Sequence, residues 1–228
     1  MRVLVLRHHP EDHPGLVGEA LVARGASLEV VLFGPTTPTP RLEGVDLLVV
    51  LGSSEAVYDP AVEAAWFGRE LDLLRDADRR GVAIFGICFG AQALCRLSGG
   101  SVVRSAEGEV GWYEVTPEPD SPVGSGPWLE YHVDVCHPPA EARVWARTPR
   151  AIQAFAIGRH VGVQFHPEVD AAQLADWFAA DAAAGRRPAV DVAAMVAETR
   201  ERETEARRRA AHLVDVVLEH AGLGAANP

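Results

Sequence analysis

Short runs of β-branched and leucine residues alternate with helix-period stretches through the first hundred or so positions. Arg2–Arg7 (RVLVLR) reads as a buried strand, and Gly15–Arg24 as a helix closed by Gly25. Ser27–Phe33 is a second strand, stopped by the loop Gly34–Pro40, whose prolines bar it from a central strand. Val45–Leu51 is nearly all apolar, as a strand covered on both faces must be. Pro60–Arg80 reads as a long helix, with proline in its first turn and Gly81 beyond its end. Val82–Ile87 is a further strand, and it passes at once through a turn into a helix ending near Ser98. Such alternation specifies a parallel sheet with crossover helices, an α/β fold.

From Ser101 to about Gln164 the pattern changes to short strands without long helices. They are Ser101–Arg104, Glu109–Val115, Leu129–Val135, Arg143–Ala146, Ile152–Ile157 and His160–Gln164. Clusters such as PEPDSPVGSGP separate them, and the group reads as a mixed or antiparallel half joined to the parallel one. Helical segments Ala171–Ala183 and Val190–His220 follow, divided by a weak boundary at GRRP. The expected organisation is a domain over 1–184 with a helical extension, 185–228, packed on it. In the last helix Glu198/Arg202, Glu203/Arg207 and Glu205/Arg209 stand at i, i+4 with the acid first, the pattern of a solvated face.

Composition narrows the function. The chain has 228 residues, with 21 Lys and Arg against 32 Asp and Glu, a formal charge of −11. That length suits one large domain or two small ones, and a chain of this size needs no disulfide or metal to hold its core. The acidic balance argues against a general nucleic-acid binder, which needs clustered cations for phosphate. It leaves room for an anionic substrate in a local pocket. No apolar run approaches the ~18 residues of a membrane helix, and the apolar start before Arg7 is too short for a signal peptide. The three cysteines form no CxxC pair, which fits a reducing, cytoplasmic setting. Cys88 and Cys95 would be about 10 Å apart on one helix, too far for a disulfide.

The sharpest chemical feature is Gly86-Ile87-Cys88-Phe89-Gly90, set between a strand and a helix. This is a nucleophile-elbow pattern with sulfur in place of a serine oxygen. An abrupt strand-to-helix turn forces its middle residue into strained backbone space, and the crowded flanking positions must lack side chains. The turn lifts the thiol to a helix N-terminus, where unpaired amides and the helix dipole favour an anion. It also aims the Phe89 N–H at a developing oxyanion. Cys95 lacks this setting and reads as core, and Cys136 carries no signal.

A thiol nucleophile needs a base. Among the nine histidines, His166 ends the strand HVGVQF and is followed by Pro167 and Glu168. Proline excludes helical backbone at His166, and extended spacing puts His166 and Glu168 on the same side of the chain. The carboxylate then orients one imidazole nitrogen while the other faces the thiol. His8, His9 and His13 lie just after the first strand. With no second ligand cluster they read as solvated loop histidines and not as a metal site.

Taken in order, these residues resemble class I, triad-type glutamine amidotransferases, in particular stand-alone members similar to the amidotransferase domain of GMP synthase. The likeness runs through Val49-Val-Leu-Gly52-Ser53-Ser54 with Tyr58-Asp59, Gly86-Ile-Cys-Phe-Gly-Ala-Gln92, Gly111-Trp112-Tyr113 and Gly162-Val-Gln-Phe-His-Pro-Glu168. It implies a flavodoxin-like, mainly parallel central sheet flanked by helices, with a small antiparallel sheet. It also implies Cys88 as nucleophile, His166 as general base and acid, and Glu168 as its orienter. Backbone amides at Gly52, Ser53 and Phe89 would form the oxyanion hole, and Gln92, Tyr131, His132 and Val133 would contact the substrate. Ser53 stands where the family usually has a second glycine, and Tyr131-His132-Val133-Asp134 replaces a Trp-His-Gly-Asp stretch. The implied reaction is hydrolysis of the γ-carboxamide of L-glutamine through a thioester, with no metal or cofactor. Its ammonia would pass to a separate acceptor or synthetase, with neither nucleic acid nor membrane as partner. The same triad suits a γ-glutamyl peptidase, and a catalytically idle regulatory homologue is the third reading.

Overall fold

The computed structural model describes residues 1–186 and 190–224. The weak boundary expected at GRRP runs into 187–189, outside the described residues.

Five strands pair in parallel: β1 (Arg2–Arg7), β2 (Ser27–Leu32), β3 (Leu47–Val50), β4 (Ala83–Ile87) and, ninth in chain order, β9 (His160–Val163). Antiparallel strands continue from β9 through β8 (Ile152–Ile157), β7 (Arg143–Arg147), β5 (Ser101–Pro117) and β6 (Gly126–His137). Among the described residues this makes one nine-stranded sheet in the order β2-β1-β3-β4-β9-β8-β7-β5-β6. The antiparallel half is thus an edgewise extension of the parallel one, joined to it where β8 lies against β9.

Two elements depart from the sequence reading. The strands expected at Ser101–Arg104 and Glu109–Val115 are a single strand, bulged between Arg104 and Glu109 against an unbroken β6. The polar Ser105–Gly108 stretch loops out of register there, which hides the continuity from a pattern search. β2, found where expected, is an edge strand, and its Val30 and Leu32 are exposed.

The long helix expected over 60–80 is α2 (Pro60–Val62), capped by Asp59, then a π turn (Glu63–Phe67), then α3 (Gly68–Arg79). The other helices are α1 (Gly15–Ala23), α4 (Phe89–Leu97), α5 (Ala171–Ala183) and α6 (Val192–His220). Side chains alternate across the strands, so two cores form. Val3, Val5, Leu47, Val49 and Phe85 pack with Val17 of α1 and with Leu213, Val214 and Val217 of α6. Leu4, Leu6, Leu48, Val50 and Ile84 pack with Phe67, Leu71 and Leu74, and with Phe89 and Leu94 of α4. Each such fully buried side chain stabilises the fold by about 1.5–3 kcal/mol.

Helix α6 lies across α1 and α5 and is tied down along its length. Thr199 accepts from Trp112 Nε1 at 3.0 Å, Arg209 donates to the Pro127 carbonyl at 2.6 Å, and Asp215 accepts from Arg24 at 2.5 and 2.6 Å. Its outer face carries the ion pairs Glu198–Arg202, Glu203–Arg207 and Glu205–Arg209.

Candidate active site

Three neighbouring strands, β3, β4 and β9, end at the same edge and deliver Gly52, Cys88 and His166 side by side. Cys88 stands between β4 and α4 at φ 52°, ψ −106°, a strained conformation for a residue with a Cβ. Such backbone costs on the order of 1–3 kcal/mol and persists only where surrounding structure enforces it. Here the enforcement is visible. Cys88 N–H is held by the Val163 carbonyl at 2.8 Å. A Cβ on Gly86 would lie 2.3 Å from the Gly90 oxygen, and one on Gly90 would lie 2.1 Å from the Val50 oxygen. The two glycines of the elbow are what let α4 start against β3 and β4.

His166 donates from Nδ1 to Glu168 Oε1 at 2.8 Å. The backbone N–H of His166 donates to the Leu129 carbonyl at 2.8 Å, and the Glu168 carbonyl accepts from Leu16 N–H of α1 at 2.8 Å. Trp177 of α5 closes the imidazole edge-on, with ring centroids 5.0 Å apart. The other nitrogen, Nε2, is buried and among the described residues makes no hydrogen bond. Burial alone would lower the His166 pKa, but the charges of Glu168 and then Cys88 outweigh it and hold it well above the ordinary histidine value. The imidazolium is therefore the favoured form, flanked by a carboxylate and the sulfur. A Cβ on Gly52 would sit 3.2 Å from His166 Cε1 and 3.8 Å from Cys88 Cβ, so the Gly52 loop lies directly over the pair.

Cys88 and His166 open into a cavity of about 360 Å³ that Gly52, Ser53, Gln92, Tyr131, His132 and Val133 also line. The structure thus brings together the side chains expected from the sequence, although several are engaged by the protein. Tyr131 donates to Asp181 Oδ2 at 2.6 Å, and Gln92 donates to Gln164 at 3.4 Å. His132 turns inward, with Nε2 at 3.3 Å from both Glu109 and Glu130. Burial pulls the His132 pKa down, but the neighbouring Glu109 and Glu130 carboxylates win and push it up to about 10. Burial likewise pushes Glu130 up to about 7. Phe89 opens α4, so its N–H is among the first-turn amides that have no partner within the helix. Neither Ser53 nor Val133 has positive φ, so neither position needs the conformational freedom of a glycine.

Sequence reasoning missed several neighbours. Trp177, Glu109 and Glu130 belong to no motif and meet the site only through the fold. His8 is a correction: it is no solvated loop residue. Its ring packs against both Trp66 and Phe89, and it contacts the Gly52 carbonyl and Glu70. The signal for it was Glu70 itself, which falls in the Phe67–Leu71–Leu74 stripe on the buried side of α3. His9 reaches Ser54 Oγ at 3.1 Å, and His13 is exposed as expected. Among the described residues no group of three or more His, Cys, Asp or Glu is arranged to hold a metal ion, and no helix is long and apolar enough to cross a membrane.

A strained cysteine at a strand-to-helix turn beside a carboxylate-held histidine sits within a chain whose sequence has known relatives. The family model for glutamine amidotransferase class-I matches residues 15–179, from α1 into α5, and the chain belongs to that family. Over 152 residues, 62% of this chain, it is 30% identical to a subunit of the glutamine-hydrolyzing GMP synthase from Sulfurisphaera tokodaii, covering 77% of that protein. The glutamine-hydrolyzing GMP synthase of Aeropyrum pernix is 35% identical over 114 residues, 46% of this chain but 22% of that longer protein. A solved glutamine amidotransferase from Thermotoga maritima superposes with TM-score 0.85 at 24% identity, covering 96% of this chain and 98% of its own. Another from Methylobacillus flagellatus gives 0.82 at 22% identity, covering 96% and 94%. These structural likenesses are of fold.

Proposed function

We propose that the protein hydrolyses the γ-carboxamide of L-glutamine through a thioester on Cys88 and releases ammonia for a separate acceptor or synthetase. The observation that carries this reading is the position of Cys88 on its strained turn beside His166, whose Nδ1 is held by Glu168 at 2.8 Å. The sulfur attacks the amide carbon, and the carbonyl π pair moves onto oxygen, where N–H groups of Phe89 and the Gly52–Ser53 loop receive it. His166 gives its Nε2 proton to the amide nitrogen, the C–N bond breaks, and ammonia leaves. Water then enters, loses a proton to Nε2 and attacks the thioester, and collapse expels the Cys88 thiolate to give glutamate. Glu168 remains a carboxylate throughout and fixes the ring. The Sulfurisphaera tokodaii relative is named as one subunit of a synthase, which supports a synthetase partner for this chain too.

The test is ammonia and glutamate release from L-glutamine by the purified protein beside Cys88→Ala, with a γ-glutamyl anilide assayed in parallel. Turnover of glutamine that Cys88→Ala abolishes is the expected result. Cys88-dependent cleavage of the anilide without glutamine turnover would shift the substrate to γ-glutamyl conjugates. Inertness toward both would overturn the hydrolase reading.

A further inference from the structure

His8 is built into the protein more firmly than the reaction steps above require. Its side chain is 2% exposed and that of Glu70, its ion-pair partner, is 0% exposed. Nδ1 lies 2.7 Å from the Gly52 carbonyl oxygen, and Nε2 lies 2.8 Å from Glu70 Oε2. A carbonyl oxygen and a carboxylate only accept hydrogen bonds, so both contacts together require hydrogen on both ring nitrogens. The surroundings agree: burial opposes the charged ring, but Glu70 by charge and hydrogen bond, and Gly52 and Asp12 after it, raise the His8 pKa.

What this cation holds is a single peptide unit. The Gly52–Ser53 bond is trans, so the Gly52 C=O and the Ser53 N–H lie in one plane and point opposite ways. His8 takes the carbonyl side. Gly52 itself backs onto His166 and Cys88, and both loop residues line the cavity. Among the described residues the Ser53 amide has no backbone acceptor within the protein. His8 also packs on the ring of Phe89 at 5.0 Å, so it touches both segments that supply backbone donors.

We propose that His8, anchored by Glu70, is a positioning residue of the oxyanion hole: it grips the Gly52 carbonyl and thereby aims the Ser53 N–H at the oxygen of the reacting group. This rests on the reading of Cys88 as an acyl-forming nucleophile.

The experiment compares His8→Gln and Glu70→Gln with the parent in two reactions of Cys88 and in glutamine turnover. Acylation by p-nitrophenyl acetate passes through an oxyanion and needs no recognition of glutamine. Alkylation by iodoacetamide displaces iodide at a saturated carbon and forms no oxyanion. Both variants are expected to lose about 10- to 100-fold in acylation rate and in kcat for glutamine, since deleting an oxyanion donor outright costs roughly 100- to 1000-fold. KM and the alkylation rate should stay within about twofold, because neither samples the transition-state oxygen. Glu70→Gln keeps the shape of the buried pair and carries the test where His8→Gln does not fold. Unchanged acylation, or acylation and alkylation falling together, would overturn the assignment. A parent acylated at Cys88 but inert toward glutamine would sink the glutaminase reading and leave this inference to the variants.

Discussion

At the scale of single residues the site is a set of held protons. His166 titrates well above the ordinary histidine range because Glu168 and Cys88 together outweigh burial. In the proposed reaction the imidazolium protonates the departing ammonia, so turnover should persist with rising pH and fall only as pH passes that raised pKa. Glu168→Gln keeps a hydrogen bond to Nδ1 but removes the charge. It is expected to lower kcat by on the order of 100-fold or more and to move the alkaline fall to lower pH, read from pH–rate profiles of the two proteins. Cys88, His166 and Glu168 were legible in the sequence because local chain geometry alone sets their relation: an elbow in one case, His-Pro-Glu in the other. His8 was not, since its partners Gly52 and Glu70 stand 44 and 62 residues away. Short-range pattern says nothing about such a pair.

Among elements, the turn from β4 into α4 is the most demanding. Gly90→Ala sets a methyl 2.1 Å from the Val50 oxygen, backbone that cannot step aside without shifting β3. We expect a loss of several kcal/mol or failure to fold, measured by urea unfolding. Gly34→Ala is the matched control, because a Cβ there meets nothing within 4 Å, and it should change stability by no more than about 0.5 kcal/mol. Periodicity located β1, β3 and β4 well, since strands covered on both faces are written in continuous apolar residues. It failed where context decides: β5 looked like two strands because its bulge is polar, and the helix expected over 60–80 gave no sign of its π turn.

For the whole molecule, the buried titrating groups set the response to pH. Glu130 is raised to about 7 and His132 to about 10 in the folded protein, against roughly 4.3 and 6.5 for free side chains. In both, the folded state holds its proton to higher pH than the unfolded chain does, so stability declines as pH rises. Glu130 acts between about 4.3 and 7, and His132 between about 6.5 and 10. His8 and His166 are shifted the same way. The urea midpoint is therefore expected to fall steadily from about pH 7 to about pH 9.5, with a shallower fall in His132→Gln if that variant folds. A midpoint flat across the range would show that the buried protons are not held as the structure places them. Helix α6 belongs to the same scale: Leu213, 1% exposed, fills the core beneath β1 and β3. Leu213→Ala should cost about 2–5 kcal/mol, visible in the same urea titration.

The strand order carries one last consequence. Gly52, Cys88 and His166 follow three adjacent strands, and neighbouring strands in any sheet stand about 4.8 Å apart. The spacing between the three strand ends that lead to these residues is therefore a lattice constant of the sheet, inherited from peptide hydrogen bonds and independent of how the chain travels from one strand to the next. The connections, including the long excursion through β5, β6, β7 and β8 that separates β4 from β9, can change length without moving those strand ends apart.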